Sequence, residues 1–378
     1  MNLKDEEKAL LSILKSGLWQ SPLNMREGFS EWERVVGFAR YQSVLGIVAK
    51  TILSDWRVMA SVPNDLRLKL KSVVVSNVLT SKHVAEVLLT VQNKMSEDNV
   101  RTVLLKGYGL AQCYPYPELR QCGDIDLYVS QDQLHQAHAA LKKFAGRVDD
   151  ERYVDCGKHF TAMYDEVEIE IHRHISTHVL RRYKKAFNAF ARSGLTENLD
   201  SVVMDGRTMH TPEVTFNSYY VFEHLFEHFL TSGVGLRQIC DWMLFLHVNK
   251  DRIDRDRLGV ILKTLDMLSP WQTFGAVLVK YLGMPAEEFP FYDSDQDPDQ
   301  VLRYILDEGN FGKTSKYYSH PTSSFLTRKL TSLGWHIKRG TKMITLFPKH
   351  EIRHFIFIVN IALQYIRTHF MLKFSNGR

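Results

Sequence analysis

A chain of 378 residues is long enough for two or three domains or for one elaborated core. Its content of 44% hydrophobic and 24% charged residues is ordinary for a soluble globular protein. The sequence has no apolar run of 18 residues, and its charged first residues are not followed by an apolar signal segment, so we expect neither a transmembrane helix nor a signal peptide. Four scattered cysteines without a CxxC motif predict free thiols and a cytoplasmic location.

The net charge of +5 is spread unevenly along the chain. Residues 320–378 contain ten Lys or Arg residues against the single acid Glu351, so this segment carries +9 and the remainder −4. A basic tail predicts an anionic partner, either nucleic acid or an anionic membrane surface at which the protein would be peripheral. The alternative is a solvated helical face.

The first 98 residues are predicted to be helical. Residues 64–95 contain neither Gly nor Pro, which predicts one long helix leading into the next region. That region begins with a short apolar strand at residues 103–105, which ends at Lys106-Gly107-Tyr108-Gly109. The glycines permit a tight turn and a close approach of the backbone to a ligand.

Residues 124–129 alternate polar and apolar side chains with the period of a β-strand, which places Asp124 and Asp126 on one face. Two neighbouring carboxylates repel each other, and this is tolerable when a hard cation lies between them. The alternative is a pair of surface acids on an edge strand. The apolar opposite face favours a core strand, so the pair predicts a metal site.

The stretch Val167–His172 repeats this alternation and places Glu168, Glu170 and His172 on one face. If the two strands are neighbours, one glutamate completes a three-carboxylate cluster. Such a cluster suits Mg²⁺ or Mn²⁺, and two ions roughly 4 Å apart can hold both oxygens of a phosphoryl displacement. Periodicity alone leaves Glu168 and Glu170 as alternatives for the third acid.

A helix capped by Ser130 is predicted at residues 131–144, followed by strands at residues 152–155, His159–Tyr164 and Val167–His172. With the preceding elements these give the order β-α-β-α-β-β-β. The C-terminal half is predicted to be helical, with a break at Gly233-Val234-Gly235. We therefore expect an α+β fold, in which a small mixed sheet is flanked by N- and C-terminal helical regions.

The motif LLKGYGLAQCYPYPELRQCGDIDLYV, followed by EIEIHRHI, resembles the polymerase β-like nucleotidyltransferase superfamily. It is most similar to a bacterial group of uncharacterised nucleotidyltransferases, which carries L-K-G, then R-x-x-G-D-I-D, then an acid-x-His strand. The resemblance is specific over residues 103–174. It implies that Asp124, Asp126 and Glu170 are the catalytic, metal-binding acids. We expect four regions, which are an N-terminal helical region (1–98), a nucleotidyltransferase core (99–180), a C-terminal helical domain (181–315) and a basic helical tail (316–378).

The phosphate turn departs from the superfamily pattern. Many members have Gly-Ser where this chain has Lys106-Gly107, so we expect Lys106, Gly107 and Gly109 to bind the nucleotide phosphates, with Lys106 as a point charge. The alternative for Lys106 is a helix-start charge. Arg120, four residues before Asp124, either binds a triphosphate through its planar guanidinium or forms a structural salt bridge.

Residues 216–247 resemble the H-x3-H, Gly, L-R-Q, Asp pattern that follows the catalytic unit in the same group. We expect His228 and Arg237 to contact the nucleotide or the acceptor. The alternatives are a half-buried His228 and an Arg237–Asp241 pair within one helix, worth only ~0.3–0.5 kcal/mol.

A zinc site is a rival interpretation for the histidines at 159, 172, 174 and 178. His172 and His174 share a face only if the strand continues, whereas His174 and His178 need a helix, and no Cys joins them. We therefore expect His172 to support a metal-binding glutamate. The sequence has no GxxxxGK[ST], GxGxxG or GxSxG motif, so P-loop, Rossmann and serine-hydrolase chemistry have no support.

Together these features predict a metal-dependent nucleotidyltransferase that uses ATP or another nucleoside triphosphate. It would move the nucleoside monophosphate to an acceptor hydroxyl and release pyrophosphate, with two Mg²⁺ or Mn²⁺ ions. The acceptor is a small molecule, RNA or a protein. The alternatives are a nucleotide-binding or sensing protein without transfer, and a toxin-like enzyme that modifies tRNA or protein.

Overall fold

The computed structural model describes residues 1–151, 154, 159–175, 182–204, 206–309 and 339–356. The chain begins with helices, as predicted for its first 98 residues: α1 (Asp5–Trp19), α2 (Trp32–Tyr41), α3 (Leu45–Ser54), α4 (Trp56–Ser61) and α5 (Asn64–Glu97). The predicted long helix is α5, which has 34 residues.

A five-stranded mixed sheet follows. Its strands are β1 (Val103–Leu104), β2 (Asp124–Tyr128), β3 (Arg147–Val148), β4 (His159–Tyr164) and β5 (Val167–His172). The spatial order is β1-β2-β5-β4-β3, in which β2 and β5 are parallel and the other pairs are antiparallel. The helices α6 (Tyr108–Ala111) and α7 (Leu134–Lys142) complete the predicted order of elements, so the α+β fold class is confirmed.

Two local predictions in this region need correction. The strand expected at residues 152–155 is instead β3, five residues earlier; Val154 lies in a turn, and the rest of the predicted range falls outside the described residues. The helix expected to begin at Gln131 starts with a 3₁₀ turn and becomes α-helical at Leu134. Ser130 makes no side-chain capping bond.

The sheet has one apolar and one polar face. Ile125, Leu127, Ile169 and Ile171 are at most 1% exposed and pack with α7 and the C-terminal half of α5. Since side chains alternate across a strand, the acids of β2 and β5 must lie on the opposite face. The apolar face therefore anchors the sheet and leaves the polar face for a site.

A β-hairpin, β6 (Asp200–Met204) with β7 (Arg207–Thr211), was not predicted. Met204 and Met209 join the apolar core of the sheet, and β7 packs beside β1. Part of the predicted C-terminal helical domain thus packs against the sheet.

The α-helices that follow in residues 182–309 are α8 (Lys184–Arg192), α9 (Val214–Thr231), α10 (Leu236–Val248), α11 (Arg255–Thr264), α12 (Leu268–Leu282) and α13 (Asp299–Glu308). The predicted break at residues 233–235 separates α9 from α10. The N-terminal helices and α9 to α13 share one hydrophobic core. Because α5 contributes Leu66 and Leu70 to this core and Val84 to Met95 to the sheet core, it joins the two.

Only residues 339–356 of the predicted basic tail are described, and they are almost entirely helical. The buried Arg339 donates from Nε to the carbonyl of Leu230 at 2.8 Å and also bonds the Phe229 carbonyl, so it caps the C-terminal end of α9. No helix of the described residues is both long and apolar enough to cross a membrane.

Candidate active site

The parallel pairing of β2 and β5 brings the predicted acids together. Asp126 is the register partner of Glu170, and Asp124 is the partner of Glu168. Neighbouring strands lie about 4.8 Å apart, and register partners in a parallel pair share a face. Glu168 is exposed, whereas Glu170 is half-buried and lines a cleft. Glu170 therefore lies opposite Asp126 and lines the cleft together with both aspartates, whereas Glu168 lies opposite Asp124 but does not line the cleft.

The cleft has a volume of about 320 Å³ and lies between the polar face of the sheet and the helices α9 and α10. Of the nine residues predicted for the site, eight line it: Lys106, Gly107, Arg120, Asp124, Asp126, Glu170, His228 and Arg237. One wall carries the acids and the other carries His228 and Arg237, so strands and helices that are distant in sequence form one site.

Asp126 is held by two other side chains of the cleft. Its Oδ1 atom accepts a hydrogen bond from Nε2 of His172 at 2.8 Å and lies 2.9 Å from Nζ of Lys106. Burial alone would raise the pKa of Asp126, but the charge of Lys106 and the bond from His172 outweigh it and hold the pKa well below its usual range. Asp126 is therefore an anionic anchor at the base of the cleft.

The other two acids are perturbed in opposite directions. Burial raises the pKa of Asp124 and the charge of Asp126 raises it further, while Lys106 and Arg237 oppose this rise. Burial would also raise the pKa of Glu170, but its hydrogen bond with His172 turns the net shift downward. Environments that separate the pKa values of neighbouring carboxylates are typical of catalytic sites.

A group of potential metal donors adjoins Asp126. Among the described residues, the ligand atoms of His159, Glu170 and His172 lie within 4.8 Å of one another. The carboxylate Oε2 of Glu170 lies 3.1 Å from Nε2 of His172 and 3.8 Å from Nδ1 of His159. The donor set thus fits a divalent cation. Of the rival zinc set, His174 lines a different cavity and His178 lies outside the described residues.

The two predicted glycines have different roles. Gly107 has φ +60° and ψ −114°, a conformation that only glycine adopts without strain, and a Cβ atom there would lie 3.3 Å from the carbonyl oxygen of Asp124. Gly109 packs against Leu104 and is not among the cleft-lining residues. Gly107 therefore allows the turn to approach β2 closely, whereas Gly109 supports helix–strand packing.

Arg120 forms a structural salt bridge, which was the alternative to triphosphate binding. Its Nε and Nη2 atoms donate to the two oxygens of Asp241 at 2.8 and 2.7 Å, and both side chains are 5% exposed. Its Nη1 atom bonds the carbonyl of Gln121 and Sγ of Cys122. Asp241 also accepts a bond from the Tyr114 hydroxyl at 2.7 Å. All three guanidinium nitrogens are therefore engaged.

Arg237 does not pair with Asp241 as the alternative interpretation supposed. Its Nη1 atom donates to the carbonyl of Gln121 at 2.9 Å, and its charge lowers the pKa of Asp124. His228 bonds Ser232 through Nδ1 at 2.9 Å and packs edge-on against His224. Both predicted residues of the helical wall thus line the cleft.

His224 and Asp241 are site residues whose roles were missed. His224 approaches Lys106 at 3.1 Å between Nε2 and Nζ, so it helps to position the lysine. The H-x3-H spacing already placed His224 on the same helical face as His228 and would have been the signal for it. No local pattern links Asp241 with Arg120, which is 121 residues earlier.

Comparisons with known proteins place this geometry in a family. None of the curated proteins matches the sequence. Among solved structures, the chain is similar to an antigenic nucleotidyltransferase-like protein from Paracoccidioides brasiliensis, with 13% identity over 54% of this chain and 92% of that chain. The TM-score of 0.31 is too low to support an argument. Residues 29–283 match the family model for uncharacterised nucleotidyltransferases. Since this match covers more than half of the chain, including the sheet and both walls of the cleft, the protein belongs to the family of uncharacterised nucleotidyltransferases.

Proposed function

We propose that this protein transfers a nucleoside monophosphate from a nucleoside triphosphate to an acceptor hydroxyl and releases pyrophosphate. The observation that carries the proposal is the pairing of Asp126 with Glu170 on adjacent parallel strands, with Asp124 two residues away on the same face. These acids line a cleft that also contains the cationic Lys106 and Arg237. Carboxylates together with phosphate-binding cations form the arrangement that phosphoryl transfer requires.

We propose Asp124, Asp126 and Glu170 as the ligands of two Mg²⁺ or Mn²⁺ ions. When bound, such ions neutralise phosphate charge and activate the acceptor hydroxyl. The proton of the acceptor hydroxyl then passes to Glu170 or to a neighbouring acid of the cluster.

Lys106 is the proposed partner of the triphosphate. Its ammonium group lies 2.9 Å from Asp126 and 3.1 Å from His224, so it is already held in the cleft. An incoming phosphate offers several anionic oxygens, and Lys106 exchanges the carboxylate for them while the glycine turn at Gly107 leaves room for the nucleotide. Arg237 and His228 contact the nucleotide or acceptor from the helical wall.

Arg120 has a different proposed role. Its guanidinium is occupied by Asp241, and a phosphate contact would break a buried, bidentate ion pair. We therefore propose that Arg120 fixes the loop that leads into β2 and thereby positions Asp124 and Asp126.

The test is transfer of label from α-labelled ATP, GTP, CTP and UTP in the presence of Mg²⁺ or Mn²⁺, with a cell lysate as the acceptor pool. Wild type is compared with Glu170→Gln and with the matched control Glu168→Gln, because Glu168 lies on the same strand but is exposed. We expect wild type and Glu168→Gln to label a discrete product and Glu170→Gln to lose at least about 100-fold in rate.

The size of the labelled product separates small-molecule, RNA and protein acceptors. Nucleotide-dependent thermal stabilisation without any labelled product would replace the proposal with a nucleotide-binding function. Equal transfer by wild type and Glu170→Gln would refute the role of the carboxylate cluster.

A further inference from the structure

Two histidines adjoin the carboxylates on the polar face of the sheet. His159 begins β4 and is the register partner of His172 on β5, with ring centroids 5.2 Å apart. Glu170 lies two residues before His172 on the same face, and Asp126 follows on the next strand. Three adjacent strands thus direct two imidazoles and two carboxylates to one point.

The separations between these donors, 2.8 to 3.8 Å, bracket those around a single cation. Asp126 Oδ1 lies 2.8 Å from His172 Nε2, which lies 3.1 Å from Glu170 Oε2, and Glu170 Oε2 lies 3.8 Å from His159 Nδ1. Nitrogen and oxygen ligands bind a transition cation at about 2.0–2.2 Å, so that neighbouring ligands lie roughly 3.0–3.5 Å apart. Small side-chain shifts would bring these atoms to ligand distances.

The hydrogen bonding of the two imidazoles is incomplete. The Nδ1 atoms of His159 and His172 are buried and have no hydrogen-bond partner. The Nε2 atom of His172 faces two carboxylate oxygens, and a single N–H group cannot bond both of them fully. Buried polar atoms are rarely left without partners, and an ion bound by Nδ1 of His159 and Nε2 of His172 would give the first atom a partner and relieve the second of its two competing acceptors, with the proton of His172 on Nδ1.

We propose that His159 and His172 join Glu170 as ligands of a first-row transition cation, so that this site binds Mn²⁺, Co²⁺ or Zn²⁺ ahead of Mg²⁺. Imidazole nitrogen favours transition cations, whereas Mg²⁺ prefers oxygen ligands and retains its waters. The inference deepens the proposed function and rests on it for the use of the ion. One of the two cations then has imidazole ligands, and the other stays with the oxygens of Asp124 and Asp126.

The experiment measures cation binding to the full-length protein without nucleotide. Co²⁺ is titrated and followed by its visible absorption, and Mg²⁺ is added as a competitor. The variants are His159→Ala and His159→Gln, and the matched control is His135→Ala, which removes an exposed histidine 3.6 Å from Glu151. His159 is only half-buried, and circular dichroism and a thermal melt verify that each variant folds.

We expect wild type to bind Co²⁺ at least about tenfold more tightly than Mg²⁺. Both His159 variants should weaken Co²⁺ binding about tenfold or more and change Mg²⁺ binding by less than about twofold, whereas His135→Ala should change neither. Equal affinities for the two cations, or Co²⁺ binding unaffected by loss of His159, would overturn the inference.

These outcomes are separable from failure of the proposed function. Label transfer with Mg²⁺ by a protein whose Co²⁺ binding is insensitive to His159 would leave the function standing and remove the imidazole site. Conversely, His159-dependent Co²⁺ binding without label transfer under any cation would leave the site standing and remove the function.

Discussion

The buried pair between Arg120 and Asp241 provides the sharpest test of how this cleft is built. The two charges form two parallel hydrogen bonds of 2.8 and 2.7 Å, and each side chain is 5% exposed. Removing either partner leaves the other charge buried and unpaired, which costs about 3–5 kcal/mol. Asp241→Ala additionally frees the hydroxyl of Tyr114. We therefore expect Arg120→Ala and Asp241→Ala each to lower the free energy of unfolding by about that amount.

The assay is urea denaturation followed by tryptophan fluorescence and circular dichroism for both single variants and the double variant. Both single variants destroy the same interaction. The loss of unfolding free energy in the double variant should therefore be at least about 2 kcal/mol smaller than the sum of the losses in the two single variants. The control pair is Lys69 with Asp65 on α5, which is 3.6 Å apart and 66% exposed on each side, and its loss should cost less than about 0.5 kcal/mol. If Arg120→Ala lowered the free energy of unfolding by as little as the control does, the buried pair would not have the stabilising role assigned to it.

Three further outcomes follow from the local geometry. Gly107→Ala should lower the free energy of unfolding by on the order of 1–3 kcal/mol, because alanine is strained at φ +60°. The control Gly123→Ala should lower it by less than about 0.5 kcal/mol, because no atom lies near the new Cβ. Asp124→Asn should raise the melting temperature by roughly 1–3 °C at pH 7, because the raised pKa of Asp124 means that its ionised form opposes folding. That gain in melting temperature should vanish below about pH 4, where the Asp124 carboxyl of wild type is protonated and as neutral as asparagine. A gain that does not depend on pH would contradict the raised pKa of Asp124. Lys106→Met should lower the free energy of unfolding by on the order of 2 kcal/mol above about pH 5, because Lys106 helps to lower the pKa of Asp126 on folding. The difference in unfolding free energy between wild type and this variant should narrow as the pH falls below about 4, where Asp126 of the unfolded chain is protonated. A difference that stays constant with pH would refute the pairing of Lys106 with Asp126.

The acidic strands were predictable because their signal is local. Alternation with period two places Asp124 with Asp126, and Glu170 with His172, on one face whatever the rest of the chain does. The hairpin β6–β7 also had a local signal, since Asp-Gly at residues 205–206 separates two alternating stretches, and that signal was overlooked. The strand expected at residues 152–155 illustrates a limit of periodicity, because β3 has only two residues and no pattern marks it.

The sequence by itself determined the class of the fold, the acids and the turn that contains Gly107, because strand period, helix period and glycine conformation are properties of neighbouring residues. Only the tertiary structure decided which glutamate completes the cluster. Glu168 and Glu170 share a face and lie opposite Asp124 and Asp126, respectively, and only the enclosure of Glu170 in the cleft, with Glu168 left exposed, distinguishes them. The tertiary structure also decided that Arg120 binds Asp241, which is 121 residues later. Contacts between such distant segments depend on packing that no local pattern encodes.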